Sequence, residues 1–178
     1  MFWTKTIELG DKVVLADPGV VLHDDNFGIC FLDNVLPGKY RCYAKIRNLS
    51  KRYRWTHRVV EITVTHSKYK RNLPEEESKE EVNVEGGMCG VFDEKYWGEI
   101  NNTSEEAQES WFWRCFYKTY NERKRKNTCT AGTIDGRGFV SSTGLGDGDY
   151  LFRTAKNKDG KTVSITVVFV RRGDFELY

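Results

Sequence analysis

At 178 residues the chain has the length of one domain and can bury a core without disulfide or metal staples. Its 13% aromatic content excludes general disorder, and a net charge of +2 lacks the basic excess of a nucleic-acid-binding domain. No window is apolar for long enough to span a bilayer, and five scattered cysteines without a CxxC pair argue against a zinc ribbon and for reduced thiols in a cytoplasmic protein.

Residues 12–16 form a short apolar run closed by Asp17-Pro18-Gly19, a turn signal. Residues 27–32 predict a second strand, ended by Pro37-Gly38. From Tyr40 the pattern alternates strictly. Tyr40, Cys42, Ala44 and Ile46 point one way, and Arg41, Tyr43, Lys45 and Arg47 the other. Residues 58–66 repeat this with Val60, Ile62 and Val64 inward, so a long hairpin joins the two strands. The acidic stretch 73–81 reads as a solvated loop. A short strand then runs into Gly86-Gly87 and a helical turn. Thr103 with Glu106 makes a capping box for a long helix reaching about Arg123. Its broad face holds Trp111, Phe112, Cys115, Phe116, Thr119 and Tyr120. Asp135-Gly136 predicts a type I′ hairpin, and residues 157–160 turn a second one. The order predicts a single α+β domain, residues 1–178. Its sheet is mainly antiparallel, or a sandwich, with one principal α-helix packed on it. The chain is strand-rich over 1–92, helical over about 93–123, and folds into β-hairpins over 129–170.

Three blocks carry a family resemblance. Asp17-Pro18 follows an apolar strand. Gly87-Met88-Cys89-Gly90-Val91-Phe92-Asp93 precedes Tyr96, Trp97 and the aromatic helix. Ser141-Ser142-Thr143-Gly144-Leu145-Gly146-Asp147-Gly148-Asp149-Tyr150 leads into a hairpin ending Val-Val-Phe-Val. In order and spacing these resemble the domain-of-unknown-function 4241 family of bacterial and phage proteins. The chain departs from the pattern at Gly19, where many relatives carry cysteine, and at Thr143, where a serine is expected. The resemblance implies no settled activity.

The loop 144–149 joins glycines, whose N–H groups can converge on an anion, to carboxylates that suit a cation. It lacks the Lys-Ser/Thr of a phosphate loop and the ligand spacing of an EF-hand. A plain turn explains it as well. Cys89 would need a base, and only His23, His57 and His66 exist. A buried, inert thiol is the simpler account. Basic residues with Tyr53 and Trp55 between Arg47 and Arg58 read as a solvated hairpin tip, and Arg123–Lys126 as a helix C-terminus.

The candidate binding residues are therefore Asp17, Cys89, Asp93, Trp97, Ser142, Gly144, Gly146, Asp147 and Tyr150. No metal set and no cofactor is read from the chain. Loop 144–149 is expected beside residues 86–93 as one wall of a shallow cleft. The leading expectation is a non-enzymatic module that binds a protein or a small-molecule ligand, without nucleic acid or membrane. The alternative is a hydrolase or metal-dependent enzyme using Asp17, Asp93 and Asp147.

Overall fold

The computed structural model describes residues 5–22, 28–48, 57–70, 73–120 and 130–171. The tip at 49–56, the basic segment 123–126, His23 and Cys129 lie outside these residues.

Among the described residues, eleven strands form two antiparallel sheets. They are β1 (Lys5–Leu9), β2 (Val13–Ala16), β3 (Cys30–Leu32), β4 (Gly38–Asn48), β5 (His57–His66), β6 (Glu76–Val84), β7 (Met88–Asp93), β8 (Ala131–Ile134), β9 (Gly138–Ser142), β10 (Gly148–Lys156) and β11 (Thr162–Val168). The first sheet runs β1-β4-β5-β11-β10-β6 and the second β3-β2-β7-β9-β8. Helices α1 (Glu94–Asn101) and α2 (Glu105–Thr119) follow β7.

Period-two patterning decides how the second sheet is buried. Val13 and Leu15 join Cys89, Val91 and Phe139 in a cluster shared with Tyr40, Cys42, Ile62, Val64 and Ile165 of the first sheet. Val14 and Ala16 point the other way, with Phe92 and Val140, under Trp97, Trp111 and Cys115 of the helices. Strand β2 is thus covered on both faces, which is why its sequence shows no polar alternation. The sheets also meet at their edges. Glu8 N–H donates to the Gly136 carbonyl at 2.8 Å, and Asn83 N–H to that of Gly28 at 3.1 Å.

The hairpin β4–β5 stands as its alternation demands, with Tyr40, Cys42 and Ala44 inside. Asp135 (φ 47°) and Gly136 (φ 68°) both take the positive φ that a type I′ turn requires. Several expectations are corrected. The acidic stretch is strand β6, paired with β10. It sits at a sheet edge, where charged side chains reach water and deter further pairing. Strand β1 adds an edge to the first sheet ahead of the first predicted strand, with Ile7 and Leu9 buried. Among the described residues there are two α-helices. Asp93 caps α1, accepting from Tyr96 N–H at 3.0 Å, and the helical run breaks at Asn102. The cap of α2 is Ser104, which accepts from Ala107 N–H, whereas Thr103 donates to the Ile100 carbonyl. The helix ends at Thr119, and its buried line is Trp111, Cys115 and Thr119, with Phe116 only half-buried.

Candidate functional site

Asp17 lies between the end of β2 and the 3-10 turn Pro18–Leu22. Its carboxylate is buried and accepts three backbone N–H groups. Oδ1 takes Gly19 at 2.8 Å, and Oδ2 takes Glu85 at 3.0 Å and Gly86 at 2.6 Å. Asp17 therefore clamps the β6–β7 connection from across the sheet. A Cβ on Gly86 would lie 3.1 Å from Oδ2, so a side chain there would crowd the clamp. Burial pushes the carboxyl pKa up, the three N–H bonds pull it down, and nearby Asp147 raises it further. The net direction is up.

Gly87, at φ 64°, is the next link. Its carbonyl accepts Thr143 N–H at 2.9 Å and the Tyr120 hydroxyl at 3.1 Å. A Cβ on Gly87 would come within 3.9 Å of Asp147 Oδ1 and 4.0 Å of Gly146 Cα. Loop 144–149 does lie beside the Gly86–Gly87 turn. The Gly146 carbonyl closes it, accepting from Tyr150 Oη at 2.7 Å and from Thr143 Oγ1. Gly144 is buried against β5, where a Cβ would meet the Val59 carbonyl at 2.7 Å. Asp147 is exposed at the loop tip, and Tyr150 stacks edge-on against Phe169.

The other candidates stand apart. Asp93 lies at the far end of β7, about 17 Å of strand from Met88. Its oxygens hold Gly10 N–H at 2.7 Å, the α1 N-terminus and Arg137. Asp17, Asp93 and Asp147 do not converge. Cys89 is buried between the sheets, and burial pushes its thiol pKa well up. His66 is buried between Tyr40 and Tyr69 in the first sheet. Trp97 is buried and packs between Phe92 and Trp111, with ring centroids 5.1 and 5.8 Å away. Ser142 is buried opposite Met88, and its Oγ has no partner among the described residues. Among those residues no three His, Cys, Asp or Glu side chains stand together in a way that could hold a metal. No described helix is long and apolar enough to cross a membrane.

The sequence reading passed over the outer face of α2. Trp113 is 42% exposed and Tyr117 63%. Trp113 touches Phe112 (5.4 Å), Phe116 (5.4 Å) and Tyr117 (6.2 Å), and Phe116 stacks on Tyr120 at 4.8 Å. Tyr120 in turn bonds Gly87, so the aromatic ladder runs into the glycine loops, where Leu145 is 44% exposed. A signal was present. Trp111, Phe112 and Trp113 are consecutive, and at about 100° per residue three neighbours cannot share one buried face.

Neither the curated proteins nor the solved structures return a match to this chain. The family model described as "Protein of unknown function (DUF4241)" matches residues 9–167, spanning Asp17, the β7 strand, α2 and the glycine loop, and the chain belongs to that family.

Proposed function

We propose that this protein is a non-enzymatic binding module that engages a protein partner through the outer face of α2 and the adjoining glycine loops. The observation that carries the reading is the aromatic ladder Trp113–Phe116–Tyr117–Tyr120, solvent-facing at Trp113 and Tyr117. Large exposed aromatics are costly to leave in water and are the side chains that dominate binding energy at protein interfaces. The glycine loop supplies Leu145 and the carboxylate of Asp147 at the rim. Asp17 acts from beneath, holding the Gly86 amide next to Gly87, whose carbonyl Tyr120 and Thr143 bond. In the same reading the chain is one domain, with its sheets forming a sandwich around their common cluster. Four buried free thiols favour a reducing, cytoplasmic setting.

The test places a photo-crosslinking residue at position 117, 145 or, as control, 158 on the β10–β11 turn. Positions 117 and 145 should capture the same protein and position 158 should not. Binding of that purified protein should weaken at least about tenfold in Trp113→Ala/Tyr117→Ala, with the melting temperature unchanged. Equal capture at all three positions, or unaltered affinity in the variant, would refute the reading.

A further inference from the structure

At the end of the first sheet remote from the glycine loop, β4 and β11 begin and β5 and β10 end. Residues 67–70 and 157–161 meet there. The Asn157 side-chain amide donates to Tyr69 Oη at 3.2 Å. The Tyr69 carbonyl accepts from the Arg41 guanidinium, and Ser67 N–H donates to the Lys39 carbonyl at 2.7 Å. Asn157 Oδ1 accepts the N–H groups of Asp159 at 3.0 Å and Lys161 at 2.9 Å, so the turn that carries Lys158 holds its own shape.

These bonds gather Lys39, Arg41, Lys68, Lys70, Lys156, Lys158 and Lys161 at one end of the sheet. Arg41 and Lys161 are half-buried and the other five exposed. Among the described residues none of the seven has a carboxylate within salt-bridge distance. Asp159 is the one carboxylate in the two turns. Glu8, opposite Lys39, Asp11, whose carbonyl accepts Val35 N–H, and Glu76, opposite Thr154, flank the group. Asp33 pairs with Lys12 at 3.5 Å, and Glu75 accepts from the Thr166 hydroxyl at 2.6 Å. The carboxylates of Glu85, Asp147 and Asp149 stand at the other end of β10. From Asp149 to Lys156 is about 24 Å of strand, well beyond the screening length of about 8 Å in physiological salt.

We propose that this end of the sheet binds a short carboxylate-rich segment of a partner protein. The backbone under the lysines is fixed before binding, so little order has to be created. Three features select the occupant. The one arginine of the group is half-buried and committed to the Tyr69 carbonyl, which leaves no exposed guanidinium fork for a phosphate. The Tyr69 ring is tied through its hydroxyl and packs edge-on to His66 at 5.9 Å, so it is not free to stack on a base. Apart from Tyr69, the two turns carry no apolar side chain to enter a bilayer. A duplex or a bilayer also spreads its charge past the group and meets a molecule of net charge +2, whereas a segment matched to the group meets the lysines alone. The surface is independent of the α2 face, and a label at position 158 reports this end and not the α2 partner.

The experiment titrates the full chain with hexaglutamate, following amide shifts and heat. Hexaglutamate should bind saturably with Kd below about 1 mM at low salt, and weaken at least about fivefold at high salt. Shifts should centre on Lys39, Tyr69, Lys158 and Lys161. Lys68→Gln/Lys70→Gln/Lys158→Gln should weaken binding at least about fivefold with the melting temperature unchanged. Lys79→Gln/Lys95→Gln/Lys118→Gln removes the same charge from exposed positions elsewhere and should leave the affinity as it is. No saturation by about 10 mM hexaglutamate, shifts centred elsewhere, or equal losses in the two triple variants would overturn the proposal. So would tighter binding of hexathymidylate, or retention on phosphatidylcholine vesicles containing about 30% phosphatidylserine.

Discussion

Replacing Asp17 by alanine removes the acceptor for three N–H groups at once, those of Gly19, Glu85 and Gly86. Each such bond contributes about 1 kcal/mol net, and more where no water can replace it. Glu85 and Gly86 are exposed, so water reaches their amides and the low figure applies. The gross loss is about 3 kcal/mol, and relief of a buried carboxylate brings it to about 2 kcal/mol. In a chain of this size that lowers Tm by about 4–8 °C. A urea titration should show the midpoint falling with the slope unchanged. The pH dependence has a defined sign. The folded pKa lies above the unfolded 3.8, so Asp17's contribution is full below 3.8 and declines as pH rises through the folded value. The stability advantage of wild type over Asp17→Asn should therefore shrink as pH is raised from about 3.5 to 7. A loss under about 0.5 kcal/mol in the alanine variant would refute the clamp as described, and an advantage that grows with pH would show that the three N–H bonds outweigh the burial.

Along α2, Trp111→Ala should cost about 3–5 kcal/mol, since the ring is buried among Phe92, Tyr96 and Trp97 and its Nε1–H donates to Tyr96 Oη at 2.7 Å. The half-buried Phe116→Ala should cost about 1–2 kcal/mol; the reverse order in denaturant titrations would show that the helix faces have been misassigned. Among the thiols, burial raises Cys30 to about 11 and drives Cys42, Cys89 and Cys115 higher. A Cys129→Ser variant should therefore show no fast-reacting thiol at pH 8 when native and four when unfolded. A count of two on unfolding without reductant would reveal a disulfide.

What could be read from the chain was what short-range physics decides. The alternation through Tyr40–Ile46 and the Asp135-Gly136 pair each report their local conformation directly. The proximity of residues 86–87 to 144–149 was also legible, because glycines on both sides permit close backbone approach. Strand β6 was not, because its glutamates hide a period that only pairing with β10 makes visible. The helix break was blurred by Asn101, Asn102, Thr103 and Ser104, all residues able to cap or turn. The separation of Asp93 from Asp17 followed from the β2–β7 register, in which Asp93 lies opposite Val13 and Gly90 opposite Ala16. No local pattern encodes that register. The extra residue in β5 and the register jump between β10 and β6 are likewise settled by pairing between strands and by no local pattern.

The central pairing of the first sheet, Val64 of β5 against Ile165 of β11, joins residues about 100 positions apart. At a ribosomal pace of about 5–20 residues per second, β5 emerges some 5–20 s before its neighbour exists. Through that interval the nascent β4–β5 pair offers Val59, Ile62 and Val64 to the cell without the β11 strand that pairs with β5, and for part of it without the β7 and β9 residues that complete their cluster. The steps most exposed to error in making this protein thus fall during its synthesis. A slowed or stalled ribosome would lengthen that exposure, and a chaperone that shields hairpins near the exit tunnel would have its main substrate in residues 38–66.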